Sequence, residues 1–231
     1  VIVIGSGIGG LTAALTVARK GRSVLMLEAG KKFGGYLNPF KRGKFHFDPG
    51  LHYVGEAGPG GRLRRLFDGL GLEEVQFNEM SPEGFDWYVF PDYEVKLGRG
   101  LHLFRDRLMR DFPREEKNIL RFFHLVEEVD RAFSLMYKFS NPLVLARGAL
   151  TLPSLLRWGR STLKEIMDHY FTHPNLKAAI AAPCGDIGLP PSRMHGLVHL
   201  GVILHYATRG GYFPKGGTDK IRDSFVSAIQ S

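Results

Sequence analysis

Cysteine is nearly absent from this sequence. Cys184 is the single cysteine in 231 residues, so no disulfide can form within the chain, and we expect a reducing, intracellular compartment. Long apolar runs are absent too. No stretch of about 18 uninterrupted apolar residues occurs, which argues against a membrane-spanning helix. These absences exclude a disulfide-stabilised scaffold, and any membrane contact is expected to be peripheral.

Motifs for several kinds of catalysis are also missing. The sequence has no P-loop, no G-x-S-x-G nucleophile elbow and no protein-kinase signature. Two histidine pairs, His169 with His173 and His195 with His199, have the four-residue spacing that presents two metal ligands from one helix face. No H-E-x-x-H pattern accompanies them and no third ligand is obvious, so we predict no metal site.

Acidic residues are in the minority. The 31 lysines and arginines outnumber the 23 aspartates and glutamates, which gives a formal net charge of +8. A basic balance suits nucleic acid, an anionic membrane surface or acidic ligands. Because the basic residues are spread along the chain without a nucleic-acid-binding motif, we predict no nucleic-acid partner.

Glycine is plentiful where the sequence opens, "VIVIGSGIGGLTAALTVARKGRSVLMLEAG". Val1–Ile4 has the pattern of a strand buried on both faces of a parallel sheet. Gly5, Gly7 and Gly10 follow with G-x-G-x-x-G spacing. The first allows a tight turn, the second lets the backbone approach a pyrophosphate, and the third lets the next helix pack close to the strand. Leu11–Lys20 is predicted to form that helix.

A second apolar strand, "SVLMLE", ends in Glu28. A carboxylate in this position accepts hydrogen bonds from both hydroxyls of an adenosine ribose. Strand, glycines, helix, strand and acid follow in order within about 30 residues, the span that the dinucleotide fingerprint requires. The stretch predicts a site for the ADP half of a dinucleotide. The alternative is a structural βαβ unit without a nucleotide.

The rest of the chain predicts further elements. Gly34 and Gly35 form a second glycine turn, and "WYVFPDYEVKLG" suggests a β-hairpin that turns near Pro91. A long helix is predicted in "FPREEKNILRFFHLVEEVDRAFSLMYKF", and several helices follow it, broken at proline and glycine. We expect the glycine-rich βαβ unit and the helical middle to belong to different structural units.

The glycine-rich start and several later stretches resemble the phytoene desaturase, carotenoid isomerase and retinol saturase family of FAD-dependent oxidoreductases. These stretches are "FHFDPGLHYVG", "FPREE", "TLKEIMDHYFTHPNLKAAIAA", "GLPPS" and "GGYFPKGGTDKI". They cover nearly the whole chain, and "FDPGLHYVG" most resembles the retinol saturase branch. The resemblance implies an α/β fold, with an FAD-binding Rossmann-like βαβ unit and a largely helical α+β substrate domain. It also implies an enzyme that adds, removes or shifts hydrogens at C–C or C=C bonds of a polyene or isoprenoid lipid.

The resemblance also divides the chain. Residues 1–58 correspond to the first part of the FAD-binding domain, residues 59–208 to a substrate domain that faces the membrane, and residues 209–231 to the start of a return segment. The family's C-terminal half is expected to lie outside this chain.

Site residues follow from the same resemblance. Those implied to contact FAD are Gly5, Ser6, Gly7, Ile8, Gly9, Gly10, Glu28, Ala29, Gly34, Gly35 and Tyr36. Many relatives carry arginine or cysteine where this chain has Tyr36, so this contact departs from the family pattern. Hydride transfer to or from a flavin requires little beyond positioning and a dry pocket, so no acid–base pair is expected. His52, in the loop after "FDPG", is the candidate for a polar group near the flavin or the substrate.

Two other functions fit the same βαβ unit. A flavin amine oxidase shares it, and a nucleotide-binding chaperone of prenylated proteins uses the fold without catalysis. Residues 141–160, "NPLVLARGALTLPSLLRWGR", combine leucines, a tryptophan and three arginines with no acid. We predict that this segment lies in a membrane interface. The alternative is an ordinary core helix pair whose arginines extend to water.

Overall fold

The computed structural model describes residues 1–138 and 153–231, and its contacts form two units. Unit 1 comprises Val1–Met80 and Gly211–Ser231, and unit 2 comprises Ser81–Gly210. The sequence suggested divisions at residues 58 and 208. The structure instead groups residues 59–80 with the glycine-rich segment, because Phe67, Leu70 and Leu72 pack into the same core as the first helix.

Unit 1 contains the predicted βαβ unit, which confirms the α/β fold class. Strand β1 (Ile2–Ile4) pairs in parallel with β2 (Leu25–Leu27), and helix α1 (Ile8–Ala18) connects them. The other elements of unit 1 are antiparallel strand pairs and helices. They are β3 (Phe40–Arg42) with β4 (Phe45–Phe47), β5 (Phe77–Glu79) with β8 (Tyr212–Pro214), α2 (Arg62–Gly69) and the C-terminal helix α10 (Thr218–Gln230).

The core of unit 1 forms where α1, α2 and α10 meet. Its buried members are Leu11, Leu15, Phe67, Leu70, Leu72, Val75, Ile221 and Phe225. Leu11, Leu15 and Phe225 are fully buried. Residues near the two ends of the chain therefore share one hydrophobic core.

The first two strands are less buried than the sequence predicted. Ile2 is 65% exposed, Ile4 84% and Leu25 56%. Side chains alternate between the two faces of a strand, and it is the partly buried Val3 and Met26, paired in register, that lie on the side of α1. The described sheet has two strands and one covering helix here, so its other face is solvent-exposed. The prediction of strands buried on both faces is wrong for this structure.

Unit 2 consists of a β-hairpin and a group of helices. The hairpin pairs β6 (Asp86–Val89) with β7 (Glu94–Leu97), and Phe90 N donates to Tyr93 O across the turn at 2.7 Å, as predicted. The helices follow in chain order. They are α3 (Leu101–Asp111), α4 (Glu116–Lys138), α5 (Pro153–Trp158), α6 (Leu163–Tyr170), α7 (Pro174–Ala181), α8 (Cys184–Ile187) and α9 (Gly196–Arg209).

Helix α4 carries the core of unit 2. Its buried stripe has the helical spacing that the sequence predicted and includes Ile119, Phe122, Phe123, Val126 and Val129. The rings of Phe122 and Phe171 lie 5.1 Å apart in an edge-on arrangement, which is a favourable geometry for aromatic pairs. The unit is thus built around an enclosed aromatic core.

The segment predicted to contact a membrane falls partly outside the described residues. Residues 141–152 lie outside them, and α5 covers most of the remainder. In α5, Leu156 is 63% exposed whereas Trp158 is buried beside His169 and Tyr170. None of the helices described is both long and apolar enough to cross a bilayer.

Candidate functional site

The first glycine turn has the geometry of a phosphate-binding loop. A Cβ atom added to Gly10 would overlap the carbonyl oxygen of Gly5, so only glycine lets α1 start this close to the end of β1. Added Cβ atoms at Gly7 and Gly9 would meet nothing within 4 Å. The turn therefore closes tightly on the protein side and leaves open space on the other.

The N-terminus of α1 faces the turn without a side-chain cap. Gly7 is the N-cap residue, and among the described residues no side chain caps the first N–H groups of the helix. The first turn of the helix also contains no acidic residue. Uncapped N–H groups and the helix dipole together favour an anion at this position.

Glu28 is held beside the same turn. Ser6 N donates to Glu28 Oε2 at 2.8 Å, the Ser6 hydroxyl donates to the same oxygen, and Gly30 N donates to Oε1 at 2.7 Å. The hydrogen bond from the Ser6 hydroxyl, helped by those from the two backbone groups, lowers the pKa of Glu28 to about 2. These hydrogen bonds fix the carboxylate in place, and its partial exposure leaves it within reach of a ligand hydroxyl.

The second glycine turn packs onto the first. Gly34 N donates to both the carbonyl oxygen and the hydroxyl of Ser6, each at 3.0 Å. Gly34 and Gly35 have φ values of 111° and 55°, a region that non-glycine residues rarely adopt. A Cβ atom on Gly35 would lie 3.2 Å from the Cα atom of Gly7. Ser6, itself fully buried, thus joins the two turns and Glu28.

The other predicted site residues lie at the edge of this arrangement. Ile8 and Tyr36 are 47% and 79% exposed, and Ala29 is exposed beside Glu28. The Cβ and carbonyl atoms of Tyr36 lie against Gly50, where an added Cβ atom would overlap them. His52 is exposed, with its ring 4.7 Å from that of Tyr53.

Two features that support the site were not foreseen. Asp48 accepts hydrogen bonds from the backbone N–H of Thr218, at 2.9 Å, and from its hydroxyl, which ties the "FDPG" loop to the start of α10. From the same helix, Arg222 donates to Asn38 Oδ1 at 2.6 Å and packs over Gly34. In the sequence, the only indication of these contacts was that "FDPG" and "GGYFPKGGTDKI" both resemble stretches of one family. That resemblance did not show that the two loops contact each other.

The paired histidines have structural partners. His199 is buried, with Nε2 2.8 Å from Ile180 O and Nδ1 3.5 Å from Cys184 Sγ. Burial lowers the pKa of His199 and raises that of Cys184. His195 Nε2 lies 3.1 Å from Gly159 O. In residues 1–138 and 153–231, no group of three His, Cys, Asp or Glu side chains is arranged to hold a metal ion.

Comparison with known proteins agrees with this geometry. Residues 3–70 match the family model described as an NAD(P)-binding Rossmann-like domain. Among solved structures, putrescine oxidase superposes with a TM-score of 0.65 at 17% identity, over 99% of this chain and 48% of that one. The Rab GDI of Plasmodium falciparum superposes with a TM-score of 0.57 at 14% identity, over 99% of this chain and 55% of that one. At these identities the likeness shows the fold alone.

Curated relatives match over almost the entire chain. The all-trans-retinol 13,14-reductase of Danio rerio is 31% identical over 99% of this chain and 39% of its own length. Prolycopene isomerase 1 of an Oncidium hybrid cultivar is 25% identical over 99% of this chain and 40% of its own length. The 4,4'-diapophytoene desaturase of Staphylococcus haemolyticus is 24% identical over 94% of this chain and 44% of its own length. The chain thus spans about two fifths of the length of these relatives.

Fold and site together define a Rossmann-like protein that shares its fold with putrescine oxidase and has a site suited to a flavin or nucleotide cofactor. Its sequence relatives narrow the class further. The chain belongs to the phytoene desaturase, carotenoid isomerase and retinol saturase family.

Proposed function

We propose that the protein is an FAD-dependent oxidoreductase that adds, removes or shifts hydrogens at C–C or C=C bonds of a polyene or isoprenoid lipid. The observation that carries the cofactor assignment is the junction at Ser6, where the two glycine turns and Glu28 are joined by hydrogen bonds. A second turn placed against Gly7 gives the cofactor two stretches of exposed backbone to follow.

Each part of the junction has a role in holding FAD. The uncapped N-terminus of α1 and the open space at Gly7 and Gly9 suit the pyrophosphate. The partly exposed carboxylate of Glu28 suits a ribose hydroxyl. The Gly34–Gly35 backbone lies beside them and carries no side chain that would block a ring. The flavin, when bound, supplies the hydride chemistry, and the protein supplies binding and orientation.

The substrate class is inferred from the relatives. Their names refer to retinol, prolycopene and diapophytoene, which are polyene or isoprenoid lipids. The names also refer to a reductase, an isomerase and a desaturase, so the direction of the reaction must be measured. The amine oxidase and chaperone alternatives rest on likeness of fold at 17% and 14% identity, and no feature of the described site favours them.

The experiment uses the full-length protein, purified with its cofactor. We expect flavin absorbance, and we expect Gly7→Ala and Glu28→Ala to lower the flavin content per protein. Glu74→Ala, an exposed glutamate of the same unit, is the matched control. Retinol, phytoene and lycopene-type polyenes are then tested anaerobically against the reduced and the oxidised protein. Normal flavin content in both site variants contradicts the cofactor assignment, and flavin reduction by primary amines alone favours an amine oxidase.

We also propose that the protein works at an intracellular membrane surface. The apolar, acid-free character of residues 141–160 and the exposed Leu156 support this assignment. The basic net charge of +8 would favour anionic headgroups. Liposome flotation of the full-length protein, compared with the variants Leu155→Ser and Leu156→Ser, tests the proposal. Trp158 is left unchanged, because it is buried and its substitution would disturb unit 2. Flotation that is absent, or equal in all forms, excludes this contact.

A further inference from the structure

Two buried glutamates near helix α4 have opposite surroundings. Glu115, 5% exposed, ends the short turn before the helix. Its Oε1 atom accepts from Thr172 N at 2.7 Å, the Thr172 hydroxyl at 2.6 Å and His173 N at 2.9 Å, and Oε2 accepts from Asn118 Nδ2 at 2.8 Å. Both carboxylate oxygens are therefore satisfied by the protein, and the role of Glu115 is structural.

Glu128 lies farther along the same helix and is 9% exposed. Its Oε2 atom is buried and, within the part of the chain that the structure describes, has no hydrogen-bond partner. Leu125, Val126 and Val129 surround it in sequence and are almost fully buried. A carboxylate oxygen buried without a donor is strongly unfavourable unless a donor is supplied from elsewhere.

The position of Glu128 on the helix indicates where such a donor would come from. Arg121, Leu125 and Glu128 are spaced by four and three residues, so they share one face of α4. Arg121 lies over the ring of Tyr170, 5.6 Å from its centre, and that ring is 6.0 Å from the ring of Trp158 in α5. Glu128 thus lies on the same side of α4 as Arg121, which contacts Tyr170 of α6. Helix α5 is part of the apolar segment that we assign to the membrane surface.

We propose that Glu128 accepts a hydrogen bond from the hydroxyl group of a polyene alcohol, so that the protein recognises the polar end of its substrate. This inference rests on the proposed function. A polyene alcohol brings an apolar chain, which suits a buried position, and one hydroxyl donor that matches the unpartnered Oε2 atom of Glu128. A hydrocarbon polyene brings the chain without the donor, so Glu128 would distinguish the two.

The experiment measures binding rather than turnover. The full-length protein is titrated with all-trans-retinol and with the matched hydrocarbon that carries a methyl group in place of the CH₂OH group, and quenching of protein fluorescence reports the dissociation constants. For the wild-type protein we expect tighter binding of the alcohol. Glu128→Leu should weaken alcohol binding about tenfold, the loss typical of one hydrogen bond. It should leave hydrocarbon binding within about twofold of the wild-type value.

Two controls separate recognition from structure. Glu127→Leu changes an exposed glutamate next to Glu128 and should alter neither affinity. The thermal midpoint of Glu128→Leu should equal or exceed that of the wild type, because the substitution removes an unpartnered buried oxygen. A lowered midpoint would show that Glu128 has a structural partner and would overturn the inference.

The remaining outcomes separate this inference from the proposed function. Equal wild-type affinity for alcohol and hydrocarbon, or equal losses for both in Glu128→Leu, overturns the role of Glu128 and leaves the polyene assignment standing. A wild-type protein that binds neither polyene contradicts the proposed function, and the inference falls with it.

Discussion

The two units use their polar groups in opposite ways. In unit 2 the aromatic core is enclosed, with Phe122 and Phe171 each 1% exposed, and Glu115 is saturated by donors from its own unit. In unit 1, Ile4 is 84% exposed, the N-terminus of α1 is uncapped, and the hydrogen-bonded carboxylate of Glu28 is still partly exposed.

This contrast shows how a structural and a binding carboxylate differ. Glu28 and Glu115 both have a pKa of about 2, and in both cases hydrogen bonds from the protein lower it, against the opposing effect of burial, which for Glu115 is the largest single contribution. The pKa therefore does not separate them. What separates them is the space around the group, because Glu115 is enclosed whereas Glu28 lies beside open glycine turns.

The largest effect is expected from removing the saturated carboxylate. Glu115→Ala removes the acceptor of the hydrogen bonds from Thr172, His173 and Asn118, and we expect it to lower the free energy of unfolding by about 3 kcal/mol. Urea denaturation followed by circular dichroism measures this change. The exposed neighbour Glu116→Ala should change it by less than about 0.5 kcal/mol. Equal effects of the two substitutions would contradict the structural role of Glu115.

A smaller loss is expected from closing the first glycine turn. In Gly10→Ala the new methyl group meets the carbonyl of Gly5, and overpacking of this kind typically destabilises by about 1–3 kcal/mol. Because α1 must move away from β1, binding of ADP should be lost as well. Urea denaturation and calorimetric titration with ADP measure the two effects. Wild-type stability in this variant would show that α1 does not need to approach β1 so closely.

The acid dependence of stability should change when Glu28 is replaced. The folded-state pKa of about 2 lies below the usual 4.5, so the stabilisation by ionised Glu28 is complete above about pH 4.5 and is lost as the pH falls towards 2. Glu28→Gln should reduce the decline of stability across this interval. Thermal melts from pH 5 to pH 2 test it, with Glu74→Gln as the control. A decline as steep as in the wild type would contradict the hydrogen-bonded arrangement of Glu28.

The smallest effect on folding is expected at Gly7. A methyl group there meets open space, so Gly7→Ala should remain within about 0.5 kcal/mol of wild-type stability. The same methyl group occupies the space assigned to the pyrophosphate, and ADP binding should therefore weaken. Gly7→Ala and Gly10→Ala then form a matched pair in which one glycine serves the ligand and the other serves the fold. Unchanged ADP affinity in Gly7→Ala would remove Gly7 from the site.

Local features were predictable from the sequence because local chemistry determines them. The spacing of Gly5, Gly7 and Gly10 predicted the βαβ unit, and the alternating residues on either side of Pro91 predicted the hairpin. The contacts of the predicted site residues with FAD remain predictions, because the fold of the chain does not by itself test contacts with a cofactor.

Features that depend on distant parts of the chain could not be read from the sequence. The pairing of Asp48 with Thr218 joins residues 170 positions apart, and no local pattern encodes it. The apolar residues of β1 suggested burial, but burial depends on which elements cover a sheet. The same holds for Trp158. The apolar, arginine-containing segment around it suggested a membrane contact, but Trp158 itself is buried and packs against Tyr170.

The shared core of unit 1 also bears on how the protein is made. Leu11 and Leu15 emerge early from the ribosome, whereas Phe225, which packs with them, follows only after residues 81–210 have been synthesised. At typical translation rates this interval is on the order of ten seconds. During that time α1 can pack against α2 but not against α10, so we expect the core of unit 1 to be completed only after α10 has been synthesised. Unit 2, continuous in sequence, can fold within the same interval.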